Sequence, residues 1–240
     1  MRLAIVSDLH GNLLALEALL ADLKRRAPDA VVNLGDCVTS PLWPRETMAL
    51  LETLRWPTVR GNHDRWLAEP ARIAASRTIA FTHDALTAEQ RTRLVNVPEQ
   101  REFDDVLAVH GRPGDDAAYL LEDSIDDRLC LATSDEVARR LGGSRASLVL
   151  CGHSHLQHVA QVGVSLVVNP GAVGCPRYAD NGTPARNEGG SPHARYAIAT
   201  RRHGSAPWSV ELFALAYDFE AVAARARANG RTDWAEAFMK

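Results

Sequence analysis

Five short polar clusters, each placed directly after a largely apolar run, constrain the fold of this chain more than any other feature of its sequence. The clusters are Asp8-Leu9-His10-Gly11-Asn12, Gly35-Asp36, Gly61-Asn62-His63-Asp64, His110-Gly111 and Gly152-His153-Ser154-His155. The short apolar runs before them are typical of strands buried in a parallel sheet. Because the carboxyl ends of parallel strands lie at one edge of a sheet, we expect these distant clusters to converge on one place.

The order of the segments predicts an α/β fold. In the first third of the chain, the strand-like segments are 3–6, 30–34 and 57–60, and the helix-like segments between them are 13–26 and 44–54. This βαβαβ order predicts a parallel sheet with right-handed crossover connections. Residues 65–100 lack strand character and are predicted to form helices and loops, with helices over 67–80 and 87–94.

The later part of the chain is predicted to add a second sheet. Strands are expected at 105–109 and 147–150, with a helix between them, and alternating segments predict antiparallel strands at 157–161, 164–168, 195–200 and 208–214. A helix is expected from Asp218 to Gly230, within a C-terminal helical segment over 218–240. We therefore expect two packed mixed sheets with helices outside them, in one domain over 1–240, and a mobile Gly-rich loop over 178–192.

Composition excludes several classes of protein. Apolar residues make up 46% of the chain and charged residues 24%, which is ordinary for a globular protein and excludes a disordered chain or a disulfide scaffold. A net charge of −3 gives no general attraction for a polyanion, and no nucleic-acid patch is evident. No segment approaches the ~20 apolar residues of a membrane span. The four cysteines have no C-x-x-C spacing, so we expect reduced thiols in a cytoplasmic protein.

The side chains that would meet at the sheet edge favour metal binding. They comprise two aspartates, one asparagine and five histidines, namely Asp8, Asp36, Asn62, His10, His63, His110, His153 and His155. Mixed imidazole and carboxylate donors suit Mn, Fe, Zn, Co or Ni better than Ca or Mg. The set is large enough for two divalent ions, and a carboxylate can bridge such a pair.

The series D-x-H, G-D, G-N-H-D, H-G and G-H-S-H, in this order, resembles the calcineurin-like metallophosphoesterases. The first cluster with Ala15-Leu16-Glu17, and the segment Asn169-Pro170-Gly171-Ala172-Val173-Gly174-Cys175-Pro176-Arg177, resemble the small bacterial and archaeal phosphodiesterase branch of that family. The resemblance extends from residue 3 to about residue 200. It implies a four-layer α/β/β/α sandwich and a site for two divalent transition-metal ions.

The resemblance also implies roles for individual residues. The first ion would be held by Asp8, His10, Asp36 and His155, and the second by Asp36, Asn62, His110 and His153, with Asp36 as the bridge. His63 matches the catalytic histidine of the family, which protonates the leaving oxygen, and Asp64 would orient its imidazole. A hydroxide on the metal pair would attack phosphorus in line.

Two departures from the family pattern bear on the substrate. Arg112 stands where a serine is common, and its planar guanidinium predicts contact with a substrate phosphate oxygen. The extra segment over 178–192 would be either a lid over the site or a disordered excursion. His83 and His158 lie outside the matched motifs and are expected to be structural or exposed.

The function expected from this resemblance is hydrolysis of phosphate esters, with small phosphodiesters as the first choice. Alternatives on the same scaffold are a phosphomonoesterase, a diadenosine-polyphosphate hydrolase or a protein phosphatase. A non-enzymatic interaction scaffold is a further alternative, although such relatives typically lose ligands or the acid histidine. A homo-oligomer is compatible with the sequence.

Overall fold

A computed structural model describes residues 1–126, 128–177, 190–204 and 206–239 of the chain. Its strands are β1 (Arg2–Val6), β2 (Ala30–Asn33), β3 (Gln100–Phe103), β4 (Val106–Val109), β5 (Glu122–Ile125), β6 (Arg128–Leu131), β7 (Leu148–Leu150), β8 (Gln157–Val162), β9 (Ser165–Pro170), β10 (Ala194–Thr200) and β11 (Ser209–Leu215). Its helices are α1 (Leu13–Arg26), α2 (Pro44–Leu54), α3 (Asn62–Trp66), α4 (Pro70–Ala75), α5 (Arg77–Ala85), α6 (Ala88–Val95), α7 (Ser134–Arg140), α8 (Phe219–Ala228) and α9 (Thr232–Met239).

Two mixed sheets form the centre of the fold, as the sequence predicted. One has the strand order β11-β10-β1-β2 and the other the order β3-β4-β7-β9-β8. β1 is parallel to β2 in the first sheet, and β4, β7 and β9 are parallel in the second. The polar clusters after β1, β2, β4 and β7 therefore all follow the carboxyl ends of parallel strands.

The apolar side chains of alternate strand residues build the layers. On β1, Leu3 and Ile5 lie in one buried cluster with Val106 and Leu148 of the other sheet, so this cluster fills the space between the sheets. The opposite side of β1, including Val6, packs in a second cluster with α1 and α2. A third cluster places α7 against the outer side of β4, β7 and β9. The layer order is therefore helix, sheet, sheet, helix.

The first polar cluster passes directly into α1. The Asn12 side chain accepts a hydrogen bond from the backbone N–H of Ala15 at 3.2 Å, which caps the helix. The same side chain donates to the carbonyl of Gly174 at 3.0 Å. Lys24 and the two arginines after it occupy the last turn, where their positive charge interacts favourably with the negative end of the helix dipole. Asn12 thus fixes the start of α1 against the segment that follows β9.

The segment 57–60 is not a strand, contrary to the sequence prediction. It makes a single parallel bridge between Asn33 and Thr58, held by hydrogen bonds from Val59 to Asn33 and from Asn33 to Pro57. Pro57 has no N–H to continue a ladder, and the chain turns away at Gly61, so the pairing ends after one bridge. The segment still delivers the third polar cluster to the edge of the sheet.

Other boundaries also differ from the prediction. The helix expected over 67–80 is divided at Ser76, whose extended backbone ends α4 and whose side chain caps α5. The strands β3, β5 and β6 were not predicted, because each has only four residues and lacks the longer alternation that indicates a strand. Most of the predicted loop over 178–192 lies outside the described residues. Within the described residues, no helix has the length and apolar character needed to span a membrane.

The C-terminal helices α8 and α9 dock onto the loop between β2 and α2. Gly230, with a φ of 71°, separates the two helices. Leu42 is fully buried in a cluster formed by α8 and α9. Arg225 donates to the carbonyl of Leu42 at 3.1 Å, and Asn229 donates to the carbonyl of Pro41 at 2.7 Å. Arg231 adds a hydrogen bond to the Thr78 hydroxyl at 2.7 Å.

The Leu42→Ala substitution tests whether the C-terminal helices belong to one domain with the sheets, which stays a prediction. Removing this buried side chain is expected to destabilise the protein by about 3 kcal/mol, which lowers Tm by about 6–12 °C. Calorimetry should then show a single unfolding transition for the whole chain, at the lower Tm. The control is Leu212→Ala, because Leu212 is 42% exposed. A separate low-temperature transition in L42A would contradict the prediction.

Candidate metal centre

Backbone strain marks the places where the candidate ligands lie. Asp8, His10, Asp36, His153 and His155 all have left-handed backbone conformations, with φ values of 55°, 44°, 53°, 65° and 60°. This region is uncommon for residues other than glycine, and such strain concentrates at functional sites. Each of these residues follows a strand end, where the left-handed turn brings its loop into the site.

Two buried carboxylates form the centre of the site. Asp8 and Asp36 are 0% and 1% exposed. In Asp8, Oδ2 accepts the backbone N–H of His153 at 3.2 Å, and in Asp36, Oδ1 accepts the backbone N–H of His63 at 2.9 Å. The second oxygen of each carboxylate faces imidazoles: Oδ2 of Asp36 lies 3.4 Å from Nε2 of His110. In each carboxylate, a backbone N–H thus fixes one oxygen, and the other oxygen faces the imidazoles.

Three imidazoles are oriented in the same way. Nδ1 of His10, His110 and His155 lies 2.9, 2.7 and 2.7 Å from the backbone carbonyls of Thr39, Leu34 and Cys175, respectively. A carbonyl only accepts, so Nδ1 carries the proton that is donated to it. This contact turns Nε2 of each ring towards the carboxylates, and a hydrogen bond of this kind is what usually orients a metal-binding histidine.

The donor atoms fall into two overlapping groups. Asp8, His10 and His155 form one group, and Asp8, Asp36 and His110 form the other, with the donor atoms of each group within 4.8 Å of one another. Oδ1 of Asp8 lies 3.2 Å from Nε2 of His155 and 4.0 Å from Nε2 of His110. Oδ2 of Asp36 lies 3.7 Å from Nε2 of His10. Asp8 therefore belongs to both groups, and Asp36 belongs to the second group and also lies near His10 of the first.

Asn62 and His153 both lie close to His110. The Asn62 carbonyl oxygen lies 3.0 Å from Nε2 of His110. The His153 ring centroid lies 5.3 Å from that of His110, and its Nε2 lies 3.0 Å from the carbonyl oxygen of Ala117. Since that carbonyl only accepts, Nε2 of His153 donates and Nδ1 keeps the lone pair. The Tyr119 ring stacks on His153 with centroids 4.9 Å apart.

The charges at the centre favour cations. Burial alone would raise the pKa of Asp36, but His110 and His63 beside it lower that pKa well below its usual range. Burial alone would lower the pKa of His110, but Asp36 and Asp8 raise it to about 9. Burial would likewise lower the pKa of His155, which Asp8 raises well above its usual value. The negative potential that attracts protons here also attracts divalent ions.

The donor set fits divalent transition metals. Oδ1 of Asp8 is fully buried and, within the described part of the chain, accepts no hydrogen bond, which is costly for a carboxylate oxygen unless it has another partner. Burial and the charge of His110 lower the pKa of His153 to about 4, so its ring is neutral near pH 7 and can act as a ligand. Neutral imidazoles with carboxylates suit Mn, Fe, Zn, Co or Ni.

His63 lies beside the centre with one nitrogen unpaired. Its ring centroid is 5.2 Å from that of His10 and 4.6 Å from that of Trp66. Nδ1 is buried and finds no hydrogen-bond partner among the described residues. Burial lowers the pKa of His63 to about 3, although the charge of Asp36 opposes this shift. The imidazole is therefore neutral near pH 7 before an anion arrives beside it.

The Asp64 carboxylate is engaged by backbone N–H groups, and its expected role in orienting the His63 imidazole stays a prediction. The carboxylate accepts the backbone N–H groups of Asp36, Cys37 and Gly61, at 2.9, 3.0 and 3.0 Å. Burial and the charge of Asp36 raise its pKa to about 7. The side chain therefore ties the loop after β2 to the start of α3, and it fixes Asp36 in place.

Gly61 stands at the point where these two loops meet. A Cβ at this position would overlap the Asp36 carboxylate, so only glycine allows the close approach. Gly111 serves the same purpose on the opposite side, since a Cβ there would lie 2.6 Å from the Ala118 carbonyl oxygen. The glycines in the two motifs are thus required by packing against the ligand loops.

Arg112 is placed two residues beyond His110 and forms an ion pair with Asp115. Nη2 of Arg112 lies 3.3 Å from Oδ2 of Asp115, and the two residues also form an isolated backbone bridge. The guanidinium is about one-third exposed. Its contact with a substrate phosphate stays a prediction. His83 pairs with Asp84, and His158 pairs with the buried Glu122.

Sequence reasoning missed the ion pair that supports His153. Arg65 donates two hydrogen bonds, from Nε and Nη2, to the carboxylate of Asp116, at 2.8 and 2.7 Å. Asp116 is 5% exposed and lies one residue before Ala117, whose carbonyl accepts from His153. This pair ties α3 to the loop that orients His153. Arg65 follows the G-N-H-D motif directly, but nothing in the sequence indicates its partner.

Comparison with known structures identifies the class of fold. The metallophosphoesterase of Sphaerobacter thermophilus superposes with a TM-score of 0.73 and 27% identity, covering 99% of both chains. The hypothetical protein PH1004 of Pyrococcus horikoshii superposes with a TM-score of 0.76 and 19% identity, covering 95% of this chain and 93% of the other. The fold is thus that of the metallophosphoesterases.

Comparison of sequences gives the family. Residues 1–188 match the calcineurin-like phosphoesterase superfamily domain, and the chain belongs to that superfamily. The uncharacterised protein MJ0912 of Methanocaldococcus jannaschii is 27% identical over an aligned length of 201 residues, and the match covers 73% of this chain and 77% of that protein. The family usually binds divalent metal ions, and the two donor groups described above are the candidate ligands in this chain.

The Asp116→Ala substitution tests the support of His153. Loss of the pair with Arg65 is expected to loosen the loop that carries Ala117, and to weaken the binding of Mn²⁺ by about 10- to 100-fold. Calorimetric titration with Mn²⁺ measures this affinity. Glu69→Ala is the matched control, because Glu69 pairs with the same guanidinium from its more exposed side. Equal affinities in D116A and E69A would show that the pair does not position His153.

Proposed function

We propose that this protein is a metal-dependent phosphoesterase that hydrolyses small phosphodiesters at a centre of two divalent ions. The observation that carries the proposal is the pair of buried carboxylates, Asp8 and Asp36. Each is fixed through one oxygen by a backbone N–H and presents the other to imidazoles. A purely structural site has no use for two buried anions arranged in this way, since their desolvation is unfavourable without cations.

The proposed ligands are drawn from the two donor groups of the described residues, with Asn62 and His153 added. The first ion would be held by Asp8, His10, Asp36 and His155, and the second by Asp36, Asn62, His110 and His153. When bound, two such ions supply Lewis acidity and a nucleophilic water at neutral pH. The position of Asp8 Oδ1 between His155 and His110, at 3.2 and 4.0 Å, makes Asp8 a second candidate for the bridge beside Asp36.

We propose His63 as the group that gives a proton to the leaving oxygen. Its unpaired Nδ1 and its position next to His10 support this role. The negative charge of a bound phosphate ester favours the protonated imidazole and so opposes the burial that makes it neutral. Asp64 contributes indirectly, because it fixes the backbone at Asp36 and Gly61 and thereby the start of α3.

Arg112 is the proposed contact for a substrate oxygen. Arg65, which also lies close to the ligand loops, is already engaged by Asp116 and Glu69. Among the described residues, Arg112 is held only by Asp115 at 3.3 Å, and it is partly exposed. One guanidinium and the metal ions suit the single negative charge of a phosphodiester, which supports a diester over a monoester.

The setting proposed for this activity is the cytoplasm, with a small phosphate ester as the partner and a homo-oligomer as the assembly.

The cysteines of the chain are free thiols, namely Cys37, Cys130, Cys151 and Cys175. Burial raises the pKa of Cys37 and Cys151 well above the usual value. Both thiols are therefore protonated and serve as apolar packing rather than as metal ligands.

Hydrolysis of bis-p-nitrophenyl phosphate tests the activity. We expect turnover with Mn²⁺, loss of turnover on chelation, and slower turnover of the monoester p-nitrophenyl phosphate. His63→Ala should lower kcat by about 10²- to 10⁴-fold, because the leaving oxygen loses its proton donor. Bound Mn²⁺ should remain unchanged in this variant. His83→Ala is the control, and an equal loss in both variants, or no turnover with any transition metal, would refute the proposal.

The Arg112→Ala substitution tests the substrate contact. Loss of a charge-assisted hydrogen bond to the phosphate is expected to raise KM roughly tenfold, with unchanged metal content. Steady-state kinetics with the same diester measures KM and kcat separately. Arg139→Ala is the control, because Arg139 lies on the exposed side of α7. An unchanged KM in R112A would show that Arg112 does not contact the substrate.

A further inference from the structure

We propose that Trp234 of α9 forms one wall of the substrate site, and that it selects phosphodiesters that carry a flat aromatic ring, such as a nucleobase. This inference rests on the proposed function and adds a substrate class to it. Trp234 lies outside residues 1–188, which match the superfamily domain. The wall is therefore supplied by the C-terminal helices of this chain.

The indole lies against a candidate ligand of the first ion. The ring centroids of Trp234 and His10 are 6.3 Å apart, at an interplanar angle of 66°, which is an edge-to-face contact. His10 is 3% exposed, whereas Trp234 is only half-buried. The indole is therefore partly accessible and lies beside a candidate ligand, and a second flat ring can stack on an accessible indole face.

The position of Trp234 is fixed by the same loop that orients His10. The carbonyl of Thr39 accepts from Nδ1 of His10, and the carbonyls of Pro41 and Leu42 accept from α8. On α9, Ala235 and Phe238 are buried against Leu42. Trp234 and His10 are therefore held in one arrangement before a substrate arrives, which reduces the entropic cost of stacking.

A phosphodiester has an organic group on each side of phosphorus, and the site offers a ring on each side. Tyr119 stacks on His153 at 4.9 Å, on the side of the second proposed ion. Trp234 lies on the side of His10. Of these two rings, only Trp234 comes from a segment without a candidate ligand. Its contribution can therefore be removed without changing the ligand loops.

Packing within the C-terminal helices is the alternative role for this tryptophan, and Trp43 provides the matched control. Trp43 packs in the same apolar cluster and is also half-buried. Its ring lies 5.5 Å from the Arg225 guanidinium rather than against a candidate ligand. A purely structural role predicts similar effects of substitution at the two positions.

The experiment compares two ligands that differ only in the base. Adenosine 5′-monophosphate and ribose 5-phosphate are titrated calorimetrically into the Mn²⁺-loaded protein, so that no turnover is needed. Trp234→Ala is expected to weaken binding of the adenosine ligand by about tenfold, since stacking on a base is worth this much. Binding of ribose 5-phosphate should change less than twofold. Trp234→Phe should retain part of the preference, and Trp43→Phe should retain all of it.

Three results would overturn the proposal: no preference for the adenosine ligand in the unmodified protein, equal losses for both ligands in W234A, or the same losses in W43F. W234F preserves an aromatic ring in the cluster and serves as the second variant if W234A does not fold. Because binding is measured rather than hydrolysis, a failed activity assay with retained discrimination would count against the proposed function alone.

Discussion

The rest of the site depends on the burial of two carboxylates side by side. Asp8 and Asp36 are almost completely removed from solvent, and two buried anions repel each other unless positive charge lies between them. Two kinds of surrounding group stabilise the carboxylates. Backbone N–H groups hold one oxygen of each carboxylate, and imidazoles with Nδ1 anchored to carbonyls face the other. The arrangement is complementary to cations, because the free carboxylate oxygens and the Nε2 atoms of the anchored imidazoles converge on the same space.

The fold makes this arrangement possible by bringing loops from distant parts of the chain to one edge. Parallel pairing of β1 with β2, and of β4 with β7, places the carboxyl ends of these strands together. The loops are then joined to each other rather than only to their own strands. His10 N–H donates to the Asp36 carbonyl at 2.9 Å, and Gly152 N–H donates to the His110 carbonyl at 2.7 Å. The left-handed backbone at five candidate ligands is the local strain that this convergence requires.

Much of the fold and of the candidate site could be predicted from the sequence, and the contacts that could not be predicted share a physical reason. Polar clusters after apolar runs predict both the sheet edge and the residues that gather there, because strand direction fixes where a run ends. The contacts of Asp64 with backbone N–H groups were not predicted, since adjacency to His63 in sequence says nothing about which way the carboxylate turns. The pair of Arg65 with Asp116, and the contact of Trp234 with His10, depend on how loops and terminal helices dock. No periodic pattern carries that information.

Anomalous diffraction from crystals soaked in Mn²⁺ tests the central claim most directly. Two peaks should appear at the edge of the sheets, one among Asp8, His10 and His155, and the other among Asp36, Asn62, His110 and His153. Both peaks should lie beside a carboxylate oxygen that accepts no backbone N–H. A single peak would contradict the paired centre, and an absence of peaks, or peaks elsewhere on the protein, would contradict the metal site altogether.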